Sequence, residues 1–205
     1  MNHPAQPIMD SLIHPPFSGM DELRKKAEAL KFPLIDDSVG MFLATQARLM
    51  GAKRVMELGS GFGYSSLWLA SGMGSGKLWL CEFHRYLLDE AREHLSKTGL
   101  ELELEFLDGN VMDNFSRMPQ DLDLIFLDID KKFYFDAFLK ALPLLRSGGL
   151  MIVDNLFLRG RLWEPDGKKQ MARDQVNALL QWLFNNPQHK SQLLPISDGL
   201  LLVEK

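Results

Sequence analysis

Cysteine, long apolar runs and excess positive charge are all scarce in this sequence of 205 residues. The single cysteine, Cys81, excludes an internal disulfide framework and leaves no thiolate cluster for zinc. The formal net charge of −4 argues against nucleic acid and anionic membrane surfaces as partners. The chain also lacks the run of about 18 apolar residues that a membrane-spanning helix needs, and its start shows no signal-peptide pattern. We therefore expect a cytoplasmic protein that binds neither nucleic acid nor membrane.

The composition that is present is typical of one ordinary globular domain. Hydrophobic residues make up 46% of the chain and charged residues 24%, and a chain of this length can bury one core. Four prolines within the first 17 residues predict an irregular arm. We expect a single domain, residues 1–205, in which residues 1–37 form the arm and a first helix and residues 38–205 form the core.

Two helices are predicted before the first strand. Ser18 is a candidate N-cap of a helix that runs to about residue 31, where Pro33 prevents it from continuing. A second helix is predicted over residues 38–50, with Leu49 among its buried positions.

From residue 53 onward, short apolar runs alternate with longer amphipathic stretches. This alternation is typical of βαβ units and of a mostly parallel sheet with helices on both faces. The ending differs, because Asp198 and Gly199 between two apolar runs are typical of a hairpin turn. We therefore predict an α/β fold whose doubly wound sheet ends in an antiparallel hairpin. The runs that predict strands cover residues 54–58, 77–81, 102–107, 122–127, 150–153, 192–196 and 200–204.

A glycine-rich stretch, VMELGSGFGYSS, follows the first predicted strand and precedes a predicted helix. Gly59, Gly61 and Gly63 permit a tight turn and a close approach of ligand, and the helix N-terminus favours an anionic group. A dinucleotide fingerprint has a small third residue where this sequence has Tyr64. The pattern therefore favours a nucleoside without a pyrophosphate, and a glycine-rich turn without a ligand is the alternative.

Acidic residues follow the next two predicted strands. Glu82 lies 23 residues after Gly59, where an acid can accept hydrogen bonds from both ribose hydroxyls. Its alternative role is that of an acid in the first turn of the following helix. Asp108, directly before Gly109, is by default a turn residue.

Two later strands also end in groups with oxygen ligands. Asp128 and the pair Asp154 and Asn155 each follow a strand, so they are expected at the carboxyl edge of the sheet, where α/β folds bind ligands. Two carboxylates and one amide oxygen suit Mg²⁺ or Ca²⁺. The alternative makes Asp130 a helix cap and the 154–155 pair a turn. Lys131 is by default solvated, but beside a cation its ammonium would lose a proton more readily and act as a base.

Four segments together resemble the cation-dependent O-methyltransferases of the catechol and caffeoyl-CoA type. The resemblance runs from about Val39 to the C-terminus, and the motifs occur in family order and at family spacing. It implies a Rossmann-like methyltransferase fold with a seven-stranded sheet that binds S-adenosylmethionine. The segments are VMELGSGFGYSSLWLA, FLDIDKKFY, LMIVDN and SDGLLLVEK.

The resemblance also implies roles for individual residues. Near the cofactor it places Glu57 and Gly59 against the methionine part, Ser65 on the methionine carboxylate and Glu82 on the ribose hydroxyls. It also places Asp108 and Gly109 beside the adenine, and Asp130 as a further acid near the cofactor. At the metal it places three ligands and a general base: Asp128, Asp154 and Asn155, with Lys131.

The function predicted from these parts is methyl transfer to a hydroxyl of a small aromatic acceptor, expected to be a vicinal diol. A divalent cation, Mg²⁺ before Mn²⁺ or Ca²⁺, would chelate the diol. The acceptor pocket is expected between the N-terminal arm and the loop 156–169, and family members often form homodimers. The alternatives are a metal-independent small-molecule methyltransferase, a non-catalytic cofactor-binding protein and a nicotinamide oxidoreductase.

Overall fold

The structure is a computed structural model that describes residue 8 and residues 11–163 and 170–205. Residues 1–7, 9, 10 and 164–169 lie outside the described residues. The predicted N-terminal arm and the predicted loop 156–169 are therefore described only in part.

One mixed sheet with strand order 3-2-1-4-5-7-6 contains the seven strands of the described residues. Strands β1 to β5 pair in parallel, whereas β7 runs antiparallel to both β5 and β6. The predicted fold is confirmed, and several strands extend beyond their apolar runs. The strands are β1 Arg54–Leu58, β2 Ser75–Glu82, β3 Glu101–Asp108, β4 Leu122–Leu127, β5 Leu145–Val153, β6 Ser191–Leu194 and β7 Leu200–Glu204.

Helices cover both faces of this sheet. Alternate residues of each strand point to opposite faces, so each strand contributes side chains to two cores. Met56 and Ile125 pack in one core with the last two helices, while Val55 and Leu124 pack in a second core with the first four. Cys81 is a buried strand residue, as expected. The α-helices are α1 Met20–Leu30, α2 Asp37–Leu49, α3 Tyr64–Met73, α4 Arg85–Ser96, α5 Val111–Asn114, α6 Tyr134–Ala141 and α7 Gln170–Asn185.

Two details predicted for the first helices are wrong. Helix α1 begins after Gly19, so its N-cap is Gly19 and not Ser18. Gly19 has a φ of 90°, and no side chain caps the helix. Leu49 is 76% exposed. The buried stripe of α2 follows Val39, Leu43 and Ala47 at four-residue spacing, and Leu49 lies about 200° around the helix from Ala47.

None of the helices in the described part of the chain is both long and apolar enough to cross a membrane.

The parallel register brings the ends of four strands to one edge of the sheet. Leu58 of β1 lies opposite Cys81 of β2 and Leu127 of β4, and Leu127 lies opposite Val153 of β5. Main-chain bonds extend this alignment past the strand ends: the amide of Asp128 donates to the carbonyl oxygen of Leu58 at 2.9 Å. The residues that follow these strands therefore converge, as the predicted site requires.

Candidate active site

The carboxyl edge of the sheet borders a cavity of about 1380 Å³. Most of the predicted site residues meet there, although three of them do not: Glu57, Asp108 and Gly109 are absent from the described lining. The predicted residues that line the cavity are Gly59, Ser65, Glu82, Asp128, Asp130, Lys131, Asp154 and Asn155.

The glycine-rich turn after β1 passes very close to the end of β4. Gly59 has a φ of 94°, and a Cβ atom added there would lie 2.1 Å from the carbonyl oxygen of Asp128. Its amide donates to the carbonyl oxygen of Cys81 at 2.8 Å. Only glycine fits this position, because both the backbone conformation and the space exclude a side chain. The turn is thereby held against the strand ends.

Glu57 supports the glycine-rich turn from outside the cavity lining. Its side chain is fully buried, and its two carboxylate oxygens accept hydrogen bonds from the hydroxyls of Ser65 and Ser66. Burial raises the pKa of Glu57 to about 7, although the two serine hydrogen bonds oppose the shift. Glu57 therefore orients Ser65 at the start of α3, and Ser66 is a site residue that the sequence reasoning missed. The signal available was its place next to Ser65 in the first helical turn.

Glu82 braces the other end of the glycine-rich turn. One carboxylate oxygen accepts from the amide of Gly61 and the other from the amide of His84, both at 3.1 Å. Asp108 and Gly109 lie behind it, since the amide of Gly109 donates to the Glu82 carbonyl oxygen at 3.0 Å. Glu82 thus faces the cavity while holding two loops in place.

Asp128 and Asp154 are tied together by groups from the next helix. Lys131 Nζ lies 2.6 Å from Asp128 Oδ1. The buried hydroxyl of Tyr134 lies 3.0 Å from the main-chain oxygen of Asp154 and 3.4 Å from Asp128 Oδ1. Sequence reasoning missed Tyr134, because no local pattern marks its contacts with Asp128 and Asp154. The carboxylate of Asp130 accepts from the amide of Lys132 at 3.2 Å, so its alternative role as a cap is confirmed.

Asp154 is a buried acid whose surroundings disfavour its negative charge. Its side chain is 1% exposed, and burial together with the charge of Asp128 raises its pKa to about 8. Its Oδ1 accepts from the amide of Asn155 at 2.7 Å, and Asn155 has a φ of 57°. The described residues contain no group of three His, Cys, Asp or Glu side chains placed to hold a metal ion. Next to Asp154 in the lining, the side-chain amide of Asn155 offers a further oxygen ligand of a type outside that set.

Three irregular segments contribute further residues to the cavity lining, and we call them the irregular wall: residues 32–36, residues 155–161 and the turn residues 197–198. Phe32 reaches furthest towards the glycine-rich turn, because its ring lies 3.0 Å from the position of a Cβ atom added to Gly61. The sequence reasoning expected an acceptor pocket among the first two of these segments but missed the turn as part of it.

This chain is similar to known O-methyltransferases in sequence and in structure. The model of a family described as O-methyltransferase matches residues 16–205. Caffeoyl-CoA O-methyltransferase 2 of Petunia hybrida is 28% identical over 215 residues, which cover 98% of this chain and 89% of that protein. Catechol O-methyltransferase of Niastella koreensis is 30% identical over 154 residues, which cover 71% and 69%. The O-methyltransferase TomG of Streptomyces achromogenes, solved in complex with SAM, has the same fold, with a TM-score of 0.84 at 24% identity over 96% of this chain and 93% of that one.

Proposed function

The chain belongs to the O-methyltransferase family, and we propose that it transfers the methyl group of S-adenosylmethionine to a hydroxyl of a small diol held at a divalent cation. The observation that carries the proposal is the meeting of Glu82, Asp128 and Asp154 around one cavity beside the glycine-rich turn. The named relatives, which include a catechol and a caffeoyl-CoA O-methyltransferase, support this class of reaction.

The cofactor side of the cavity consists of the turn 59–63 with Glu57, Ser65 and Glu82. Glu82 fits a ribose diol because it is the last residue of β2 and its carboxylate lines the cavity. Ser65 fits the methionine end, and Glu57 fixes the direction of its hydroxyl. Asp108 and Gly109 lie outside the described lining, and the amide of Gly109 joins them to the main chain of Glu82.

The residues fit a divalent cation by charge and by ligand type. Asp128, Asp154 and Asn155 offer oxygen atoms only, which is the set preferred by Mg²⁺. Asp154 is buried with its pKa raised to about 8, and a cation would favour its ionised form. When bound, the cation would lower the pKa of a hydroxyl and fix its position, and S-adenosylmethionine would supply the methyl group.

Lys131 is the base in this proposal. Its Nζ lies 2.6 Å from Asp128 Oδ1 and lines the cavity, so once the ammonium has released its own proton the free amine would be placed to take the proton of an acceptor hydroxyl. The acceptor oxygen exchanges its proton for the methyl group, and S-adenosylhomocysteine is released. Holding both reactants in one geometry can lower the barrier by about 7–11 kcal/mol. No covalent bond to the enzyme is needed.

The proposal is tested by methyl-transfer assays over a panel of catechols, with and without EDTA. We expect transfer that stops in EDTA and returns with excess Mg²⁺. Transfer that is unaffected by EDTA would instead identify a metal-independent methyltransferase.

Binding measurements on the same protein distinguish the remaining alternatives. Tight binding of S-adenosylmethionine without transfer to any member of the panel would indicate a non-catalytic binding protein. Binding of NADH without binding of S-adenosylmethionine would indicate an oxidoreductase.

A further inference from the structure

The turn between β6 and β7 holds the loop that follows β5. The amide of Leu156 donates to the carbonyl oxygen of Gly199 at 3.0 Å, and the amide of Phe157 donates to that of Asp198 at 2.8 Å. The amide of Arg159 donates to both carboxylate oxygens of Asp198, at 2.7 and 2.9 Å. Three backbone amides thus fix a short segment of the irregular wall to this turn.

Two residues of this segment have a left-handed backbone conformation, which residues other than glycine rarely adopt. Leu158 has a φ of 51° and Arg159 a φ of 58°, and neither is a glycine. Such conformations persist only where the surroundings impose them. The carboxylate of Asp198 holds the Arg159 amide in this conformation. It therefore also fixes the backbone position from which the Arg159 side chain extends.

Arg159 and its neighbour Arg161 bring positive charge to the cavity. Both line it, and no carboxylate within the described ranges forms an ion pair with either guanidinium. Other arginines do have acidic partners, as Arg24 has Asp37 and Arg146 has Asp123. A guanidinium at the wall of a cavity that pairs with no carboxylate of the described residues can bind a carboxylate or a phosphate through two hydrogen bonds.

We propose that Arg159 is a specificity-determining residue that selects acceptors carrying a carboxylate or phosphate group, and that Asp198 is the positioning residue that holds it. The inference rests on the proposed function, because it names the acceptor class of the same site. The anionic group would lie at the irregular wall, while the hydroxyls of the acceptor lie towards Asp128 and Lys131.

A pair of acceptors with the same diol tests the proposal. The first is 3,4-dihydroxybenzoate, which is anionic, and the second is the neutral 3,4-dihydroxybenzamide. We expect kcat/KM to be about tenfold higher for the benzoate, chiefly through KM. In Arg159→Gln this ratio should fall to about one, while kcat for the benzamide stays within about twofold. Arg159→Lys should restore part of the ratio.

Asp198 is tested by two variants with different hydrogen-bonding ability. Asp198→Asn keeps an oxygen that accepts from the Arg159 amide, so most of the selectivity should remain. Asp198→Ala removes the acceptor, and we expect the ratio to fall to about one with unchanged affinity for S-adenosylhomocysteine. Equal loss in both variants would show that Asp198 does not act by positioning.

Arg48→Gln is the matched control, because Arg48 is exposed on α2 and does not line the cavity. In Arg48→Gln the ratio of kcat/KM for the benzoate to kcat/KM for the benzamide should equal that of the wild type. A third acceptor, 3,4-dihydroxybenzyl phosphate, distinguishes the two anions, since a larger Arg159-dependent ratio with it would identify phosphate as the preferred group. A wild-type ratio of one for both anions, or a ratio that survives Arg159→Gln, would overturn the proposal.

Failure of the proposed function would be recognised separately. If the wild type methylates none of these acceptors, the reaction is not the one proposed. Calorimetric titration of the benzoate and the benzamide in the presence of S-adenosylhomocysteine then still tests Arg159. Tenfold tighter binding of the benzoate, lost in Arg159→Gln, would support its role, and equal binding would contradict it.

Discussion

The cofactor side and the irregular wall of the cavity are built in different ways. The cofactor side consists of residues that directly follow parallel strands, and main-chain bonds such as that from Gly59 to Cys81 hold it to the sheet. The irregular wall consists of segments from distant parts of the chain, and a few main-chain bonds together with side-chain bonds hold them to one another. Ser197, for example, donates to Asp36, which is 161 residues away in sequence. Parts fixed by the sheet suit a constant cofactor, whereas loop segments outside the sheet can vary with the acceptor.

Asp128 and Asp154 lie at the boundary between these two regions. This position suggests that the cofactor side can bind its ligand without the cation, while transfer needs both regions.

The largest effect is expected for Asp154→Ala. The variant removes one of two carboxylates from the proposed metal site, so methyl transfer should fall by about 1000-fold or more. Affinity for S-adenosylhomocysteine, measured by calorimetry, should stay within about threefold. Asp113→Ala, at an exposed acid of α5, is the control and should change neither quantity. Transfer by Asp154→Ala without added metal would be incompatible with a metal site at this residue.

Gly59→Ala should damage the cofactor side itself. The new Cβ atom would meet the carbonyl oxygen of Asp128 at 2.1 Å, so we expect the free energy of unfolding in urea to fall by about 3 kcal/mol. Binding of S-adenosylhomocysteine should weaken as well. Gly51→Ala is the matched control, because Gly51 also has a positive φ, of 60°, but no atom lies within 4 Å of its added Cβ. It should cost about 1 kcal/mol. Equal costs in both variants would mean that the close approach is unimportant.

Glu57 should make stability depend on pH. Its pKa is about 7 in the folded protein against an ordinary 4.5, so the folded state holds a proton that the unfolded state has released between these values. The resulting stabilisation is complete below pH 4.5 and is lost as the pH rises through 7. In Glu57→Gln the fall in unfolding free energy between pH 5 and 8 should be smaller by about 2 kcal/mol. Glu28→Gln, at an exposed acid of α1, should retain the wild-type slope, and a wild-type slope in Glu57→Gln would refute the assignment.

The smallest effect is expected for Tyr64→Phe. The Tyr64 hydroxyl lies 2.6 Å from Asp37 Oδ1 and 2.7 Å from an Arg24 nitrogen, and it joins α1 and α2 to the start of α3. Its loss should lower the free energy of unfolding by about 1 kcal/mol. Cofactor affinity should change by less than about threefold if this contact only fastens the N-terminal helices. Tyr86→Phe, at a tyrosine that is 60% exposed, should change neither.

The sequence was informative about the cofactor side for a local reason. An apolar run that ends in an acid or a glycine marks the end of a strand, and parallel strands bring their ends to one edge. Glu82, Asp128 and Asp154 could therefore be placed together without knowledge of any long-range contact. Detail at helix ends was less predictable, as the errors at Ser18 and Leu49 show, because capping and the direction of a buried stripe depend on the neighbouring elements.

The contacts between distant elements could not be predicted from the sequence. Asp198 had the composition of a turn residue, and nothing local indicated that its carboxylate would hold the Arg159 amide. Tyr134 likewise is an ordinary helix residue until the strand ends are placed beside it. These contacts form only once the hairpin and α6 pack against β4 and β5, so no local pattern records them.

The separation of the two regions is tested most directly by titrating S-adenosylhomocysteine into EDTA-treated protein and assaying catechol methylation in the same sample. We predict binding of one molecule per chain with a Kd within about threefold of that in Mg²⁺, and no detectable methylation. Loss of S-adenosylhomocysteine binding in EDTA, or methylation that continues at its full rate, would contradict the separation of a metal-independent cofactor side from metal-dependent transfer.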